Sequence, residues 1–308
     1  MLPLVTHPDY SYPFPSGHRF PMEKFRLLHD YLRESGIAGQ DNTFRPGKAK
    51  PALLTRAHCP DYLEQFTQGT LPDKAQRRLG LPWSPALVHR TLIAPAGTLL
   101  TAQLALRHGL ACHLAGGTHH AHRDFGSGFC VLNDLAVAAR NLLDYGLVER
   151  LLIFDCDVHQ GDGTAAMLAD EPRAFTCSVH CEKNFPARKQ HSDLDVALPR
   201  LLEDDDYLDA VRSALHQALA RSQPQLVLYD AGVDIYQGDP LGLLAVSEAG
   251  IRARERLVLE TCRAAGIPVA TVIGGGYDDD RVALARRHAL VVEEAARLAS
   301  GATHLAGL

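Results

Sequence analysis

Short apolar runs alternate with long amphipathic segments from about residue 130 to the end of the chain. The runs contain no charged residue and have the length of buried strands. The predicted strands are 151–154, 174–179, 226–229 and 268–273. The predicted helices between and after them are 133–145, 163–169, 205–220, 247–265 and 279–299. Strands that alternate with helices predict a parallel sheet covered by helices on both faces.

The first 130 residues give a weaker pattern. Residues 96–107 predict a helix, 111–114 a strand, 20–35 a helix and 39–52 a loop. No linker, charge block or internal repeat divides the chain. We therefore expect one catalytic domain over 1–308, of α/β class, with three layers and a central, mostly parallel β-sheet between helices.

Composition excludes several classes of protein. The net charge is −5 and 46% of the 308 residues are hydrophobic, which argues against a disordered chain or a basic nucleic-acid binder. A segment that crosses a bilayer needs about 20 consecutive apolar residues, and the sequence has no such run. The N-terminus does not resemble a signal peptide. The seven cysteines form no CxxC pair and favour a reducing cytoplasm. The 16 histidines are numerous, and composition does not say which of them act together.

Polar clusters follow five of the predicted strands. They are His119-His120, Asp155 to His159, Ser178 to His180, Asp230 to Asp234 and Gly274 to Tyr277. Open parallel sheets bind ligands beyond the carboxyl ends of their strands. We expect the active site at that edge of the sheet.

The segment from Asp155 to His159 indicates a metal site. Asp155, Asp157 and His159 alternate at a spacing of two, which places them on one face of an extended chain. Asp157 and His159 with the distant Asp234 would form a mixed oxygen and nitrogen site for a divalent ion. The other interpretation is a solvated polar cluster at a strand end, and Gly161-Asp162-Gly163 and Asp234 make it less favourable.

Two adjacent histidines and a glycine-rich turn complete the candidate chemistry. His119 and His120 could each pair with a carboxylate, for which Asp155 and Asp162 are available, or they could belong to a solvated loop. Tyr277, after three glycines, could stabilise an oxyanion or simply pack behind a tight turn. The loop aromatics Phe129 and Phe185 could line a tunnel or belong to the core.

Together these segments resemble the histone deacetylase superfamily, which has the arginase/deacetylase fold. The resemblance runs from about residue 3 to 299. It rests on GGTHHA at 116–121, GSGFCVLND at 126–134, DCDVHQGDG at 155–163, DAGVDIYQGDP at 230–240 and GGGY at 274–277. The opening Phe20-Pro21-Met22, Gln160 and the segment 182–186 resemble the class IV and bacterial branch.

The resemblance implies a role for each candidate residue. The catalytic zinc would be bound by Asp157, His159 and Asp234. His120 with Asp162 would be the general base and then the acid, His119 with Asp155 would stabilise charge, and Tyr277 would polarise the carbonyl. The acyl-lysine channel would be lined by Gly128, Phe129 and Phe185. A structural potassium ion would be bound by Asp155, Asp157, His159, Ser178 and Val179, partly through main-chain oxygens.

Two departures from the family pattern bear on the substrate. Class I members carry an aspartate on a rim loop that holds the substrate backbone, whereas the comparable stretch here, 81–85, has no acid, and Trp83 could shape the rim instead. Polyamine deacetylases carry a glutamate shortly after the GDP motif, where this chain has Leu241, a channel residue by position. Both departures weaken specific recognition of peptide backbone or polyamine.

The leading hypothesis is a zinc-dependent amidohydrolase that removes acetyl or longer acyl groups from lysine in a protein or peptide. Fe²⁺ is also compatible with two aspartates and one histidine. The alternatives are a deacylase of a small acylated amine and, with less support, a non-catalytic scaffold that binds acyl ligands. No nucleic acid or membrane partner is expected.

Overall fold

The computed structural model describes residues 1–305, and their side chains through residue 300. The strands are β1 Leu4–Val5, β2 Thr43–Phe44, β3 Leu110–His113, β4 Leu151–Asp155, β5 Ala174–Cys181, β6 Leu194–Leu198, β7 Val227–Asp230 and β8 Val269–Val272. The helices are α1 Lys24–Glu34, α2 Pro51–Leu54, α3 Pro60–Gln68, α4 Asp73–Leu79, α5 Pro85–His108, α6 Asp134–Asp144, α7 Asp162–Leu168, α8 Asp204–Ser222, α9 Glu248–Ala264 and α10 Arg281–Leu305.

The eight strands form one parallel sheet in the order β2-β1-β3-β8-β7-β4-β5-β6. Successive residues of a strand face opposite sides of the sheet. In β4, Leu152 and Phe154 join the core beneath α1, α8, α9 and α10, whereas Leu151 and Ile153 join the core beneath α5 and α6. The predicted three-layer α/β fold is confirmed.

The N-terminal third differs from the prediction. α5 begins at Pro85 instead of residue 96, because the helix continues through Pro95, a residue type that usually marks a boundary. The segment 39–52, predicted as a loop, contains β2 and the start of α2. The helix predicted from Phe20 begins at Lys24. β1 and β2 have two residues each, which is too short for a periodic pattern.

The sheet order brings the polar clusters together. β3, β8, β7 and β4 are consecutive neighbours in the sheet although they are far apart in sequence. Their carboxyl ends are followed by His119-His120, Gly274 to Tyr277, Asp230 to Asp234 and Asp155 to His159. Four of the five predicted clusters therefore share one edge of the sheet, whereas Ser178 to His180 lies within β5, which extends to Cys181.

All seven cysteines are free thiols, and six of them are buried. Among the helices of residues 1–305, none combines the length and the apolar character needed to cross a membrane.

Candidate active site

Asp157, His159 and Asp234 converge beyond β4 and β7. These two strands are neighbours, and their last residues, Asp155 and Asp230, pair in register. His159 Nδ1 lies 3.0 Å from Asp157 Oδ1 and 3.1 Å from Asp234 Oδ2. One donor atom from each of the three side chains lies within 4.8 Å of the other two.

The surroundings of this triad fit a divalent cation. All three side chains are buried, and two carboxylates buried side by side require positive charge. A Cβ atom at Gly275 would clash with both carboxylates, so a glycine at this position keeps the space beside the donors free. Two carboxylate oxygens and one imidazole nitrogen are a suitable donor set for Zn²⁺ or Fe²⁺.

Two His–Asp pairs lie next to the triad. His119 Nδ1 lies 2.7 Å from Asp155 Oδ2, and His120 Nδ1 lies 2.6 Å from Asp162 Oδ1. The two imidazole centroids are 4.1 Å apart. Asp162 also accepts a hydrogen bond through its second oxygen from His122 Nε2, at 3.0 Å. The pairing anticipated from sequence is therefore present in space, and His122, which the sequence left without a role, supports the second pair.

The pKa values of His119 and His120 are shifted in opposite directions. Burial would lower the pKa of His119, but the carboxylates of Asp155 and Asp157 outweigh burial and hold it well above 6.5. Burial and the adjacent charge of His119 lower the pKa of His120 to about 4, against the pull of Asp162. His120 is therefore the uncharged imidazole near neutral pH.

Tyr277 follows a backbone turn that only glycine allows. Gly274 has a φ of 60°, and a Cβ atom there would clash with the carboxylate of Asp230. The Tyr277 N–H donates to Asp239 Oδ2 at 2.7 Å, which fixes the end of the turn. The Tyr277 hydroxyl has no hydrogen-bond partner in the described part of the chain. Burial raises its pKa well above 10, with Asp234 adding to the effect, so the hydroxyl remains a donor.

A cavity of about 310 Å³ connects these groups. Its wall contains the triad, both histidines of the pairs and Tyr277, together with the predicted channel residues Gly128, Phe129, Phe185 and Leu241. Phe185 is 45% exposed and meets the His120 ring edge-on at 4.8 Å. Phe185 thus lies at the outer end of the cavity, and His120 lies further in.

The sequence profile of the histone deacetylase domain matches residues 18–293. The chain belongs to the histone deacetylase superfamily. Membership in this superfamily makes it a deacetylase-type hydrolase that acts on amide bonds.

This deacetylase has relatives in bacteria and in plants. An uncharacterised protein of Picosynechococcus sp. is 56% identical, and the alignment covers 94% of this chain and 96% of the relative. The acetoin utilization protein AcuC of Bacillus subtilis is 30% identical, with 91% and 78% covered. Histone deacetylase 2 of Arabidopsis thaliana is 29% identical, with 84% and 70% covered.

Solved structures with low sequence identity share the fold. The HDA15 HD domain aligns with a TM-score of 0.79 at 20% identity, over 97% of this chain and 91% of that chain. An HDAC homolog complexed with SAHA aligns with a TM-score of 0.81 at 23% identity, over 96% and 84%. The sheet and helix arrangement of the deacetylase is therefore that of the superfamily.

The candidate potassium residues of the deacetylase lie at and beyond the end of β4 and in the second half of β5. Asp155 pairs with Ser178 in register, and the Cys181 N–H donates to the Val158 carbonyl at 2.9 Å. The loop 155–159 therefore crosses the end of β5 beside Val179.

The structure adds cavity residues that sequence reasoning missed. The added side chains are Arg19, Phe20, Lys24, Phe25, Arg90 and Asn184. One sequence pattern could have indicated Lys24. Its spacing of four from Leu28 and Leu32, which are also buried, places a lysine within the apolar stripe of the amphipathic helix α1. Trp83 is not among the lining residues, and its indole N–H donates to the Phe66 carbonyl at 2.7 Å.

Proposed function

We propose that this chain is a zinc-dependent amidohydrolase that removes acetyl or longer acyl groups from lysine side chains. The supporting observation is that one cavity contains the Asp157–His159–Asp234 triad, an uncharged histidine on a carboxylate and an unpartnered tyrosine hydroxyl. Amide hydrolysis needs these three components: carbonyl polarisation, a base for water and a donor to the developing oxyanion.

The triad would bind the ion through one oxygen of Asp157, His159 Nδ1 and one oxygen of Asp234. A bound divalent ion polarises the amide carbonyl and lowers the pKa of a water molecule. Zn²⁺ is the proposed ion, and Fe²⁺ is the second candidate because two of three donors are hard oxygens.

His120 would act as general base and then as general acid. Its Nδ1 is bonded to Asp162, so Nε2 is the nitrogen free to take a proton from water. That proton then passes to the leaving lysine amine. His119, whose Nδ1 is bonded to Asp155, would stabilise charge beside the reacting groups. The Tyr277 hydroxyl would donate to the carbonyl oxygen as negative charge develops there.

The acyl-lysine side chain would enter along Gly128, Phe129, Phe185 and Leu241. A Cβ atom at Gly128 would approach His120 Cδ2 to 2.7 Å, so a glycine there keeps the channel open beside the base. We also propose a structural K⁺ beside the triad, bound by Asp155, Asp157, His159, Ser178 and Val179, partly through main-chain oxygens. It would hold the 155–159 loop in place.

A small acylated amine is the second candidate substrate. The supporting observation is that the only carboxylates lining the cavity are Asp157 and Asp234, among the residues that the structure describes. The stretch 81–85 also has no acid to hold a peptide backbone. Every position implied for catalysis is filled, which argues against a non-catalytic scaffold.

The test compares acetyl-lysine peptides, longer acyl-lysine peptides and acetylated small amines, with and without a chelator. His120→Ala should abolish turnover, whereas His216→Ala, an exposed histidine of α8, should leave it unchanged. Turnover that survives both chelation and His120→Ala would contradict the mechanism. Turnover of small amides alone would replace the lysine substrate and retain the chemistry.

A further inference from the structure

Two buried cations line the active-site cavity and have no carboxylate partner. Lys24 begins α1 and Arg90 lies in α5, and they are 2% and 6% exposed. Neither forms an ion pair with a residue in the described part of the chain. Charged side chains are seldom buried without a partner, because removing them from water is costly. Burial accordingly lowers the pKa of Lys24 to about 8.

Both cations lie against the same pair of rings. Lys24 Nζ is 5.9 Å from the centroid of Phe20 and 5.5 Å from that of Phe25. Arg90 Cζ is 5.6 Å and 4.5 Å from the same two centroids. The charges therefore lie on one side of the cavity, and we call this side the inner end because both cations are buried whereas Phe185 is 45% exposed.

Their hydrogen bonds leave donors free. Lys24 Nζ donates to the Gly274 carbonyl at 3.2 Å, and Arg90 Nε donates to the Tyr10 carbonyl at 2.9 Å. Within residues 1–300, the two terminal amino groups of Arg90 have no acceptor. The inner end of the cavity thus offers two positive charges and unused N–H groups.

The neighbouring acids are already engaged. Asp134 accepts hydrogen bonds from Thr98 and from the backbone N–H groups of 117 and 118. Asp239 accepts hydrogen bonds from the backbone N–H groups of residues 241, 242 and 277. The remaining carboxylates of the wall, Asp157 and Asp234, belong to the proposed metal site. A ligand anion in the cavity would supply the carboxylate that these two cations lack.

The cations lie within reach of a short acyl chain. Gly274 receives the Lys24 bond, and the N–H of the next residue, Gly275, donates to Asp157 Oδ2 at 2.7 Å. Lys24 Nζ is therefore less than about 9 Å from a metal ligand, given standard peptide dimensions. A four-carbon diacid separates its carboxyl carbons by about 4 Å at bond lengths near 1.5 Å. The distal carboxylate of such a chain would extend from the scissile carbonyl toward the ammonium group.

We propose that Lys24 and Arg90 bind the distal carboxylate of a short dicarboxylic acyl group, so that the enzyme removes succinyl-type groups in preference to uncharged acyl groups of equal length. This inference rests on the proposed function. Water adds to the amide carbonyl, the C–N bond breaks, the amine leaves with the proton from His120, and the acyl group leaves as the dicarboxylate.

The test uses the wild-type, metal-loaded enzyme on three lysine peptides. They carry acetyl, succinyl and succinamoyl groups, the last being a carboxamide isostere of succinyl without the charge. Hydrogen bonds between buried charged groups predict a kcat/KM about 10- to 100-fold higher for succinyl than for succinamoyl. Hydrolysis of either the succinyl or the succinamoyl peptide forms a new carboxylate from the scissile carbonyl. A site that binds only this new carboxylate would therefore give the two peptides the same kcat/KM.

Variants locate the effect. Lys24→Met and Arg90→Met should each reduce the succinyl-to-succinamoyl ratio at least fivefold, and Arg90→Lys should retain part of it. Arg26→Gln removes an exposed arginine of α1 that pairs with Asp30, and it should leave the ratio unchanged. Circular dichroism verifies the fold of each variant.

Three results overturn the inference in whole or in part, and they can be told apart. Hydrolysis of acetyl-lysine with equal kcat/KM for succinyl and succinamoyl refutes the carboxylate site and leaves the proposed function intact. Absence of hydrolysis of all three peptides refutes the proposed function and this inference together. A ratio that stays high in folded Lys24→Met and Arg90→Met refutes the assignment to these residues.

Discussion

Tyr277→Phe separates catalysis from stability in this fold. The hydroxyl lines the cavity and has no hydrogen-bond partner in the described residues, so its removal deletes no native hydrogen bond. We expect the free energy of unfolding to change by less than about 0.5 kcal/mol, because removing a hydroxyl that bonds to no protein group costs no native interaction. The ring and its packing against Phe129, at a centroid distance of 6.0 Å, remain.

The effect on turnover should be large. Loss of one oxyanion donor lowers kcat by about 10²–10³, equivalent to about 2.7–4 kcal/mol in the transition state. KM should stay within about threefold, because the interaction forms mainly as charge develops on the carbonyl oxygen. Steady-state hydrolysis of an acetyl-lysine peptide gives both constants, and urea unfolding gives the stability.

Tyr31→Phe is the matched control. The Tyr31 hydroxyl donates to Glu293 Oε1 at 2.8 Å and connects α1 to α10 away from the cavity. Its removal should cost about 1 kcal/mol of stability and leave kcat unchanged. A folded Tyr277→Phe enzyme that keeps more than about a third of the wild-type kcat would refute the oxyanion role.

Three further perturbations test other parts of the site and fold. Asp162→Asn should lower kcat by about 10²–10⁴ by depriving His120 of its charged acceptor; a loss under threefold would contradict that role. Phe185→Ala should raise KM several-fold in peptide assays while stability stays within about 0.5 kcal/mol, because the ring is 45% exposed; an unchanged KM would remove Phe185 from the channel. Burial lowers the pKa of His58 to about 4 in the folded protein. Between pH 6.5 and 4 the unfolded chain therefore binds a proton at His58 that the folded chain does not, and the free energy of unfolding falls as the pH is lowered through this range. His58→Gln should reduce that slope by up to about 1.4 kcal/mol per pH unit in urea titrations, and an identical slope would refute the shift.

The sheet and most of the site could be predicted because both follow local patterns. Uncharged apolar runs mark β4, β5, β7 and β8, and parallel strands necessarily bring their carboxyl ends to one edge. The spacing of Asp157 and His159 predicted a shared face. Their meeting with Asp234 follows because β4 and β7 are direct neighbours in the sheet.

The inner end of the cavity could not be predicted, because it depends on packing between distant elements. Lys24 and Arg90 are 66 positions apart in sequence, and they come together in space because both lie against the rings of Phe20 and Phe25. Because a proline usually marks a helix boundary, Pro95 also made the predicted α5 begin too late. Arg90 therefore lay outside the predicted helix. The cytoplasmic location, the potassium site and the class IV affinity remain predictions.

Metal titration tests the central claim most directly. The enzyme is stripped with a chelator, and hydrolysis of an acyl-lysine peptide is followed as Zn²⁺ is added back. The geometry of Asp157, His159 and Asp234 predicts negligible activity without metal and full recovery at one equivalent. Asp234→Asn should weaken zinc binding, which calorimetry measures independently of turnover. Full activity in the stripped enzyme, or recovery that does not depend on these three residues, would contradict the account.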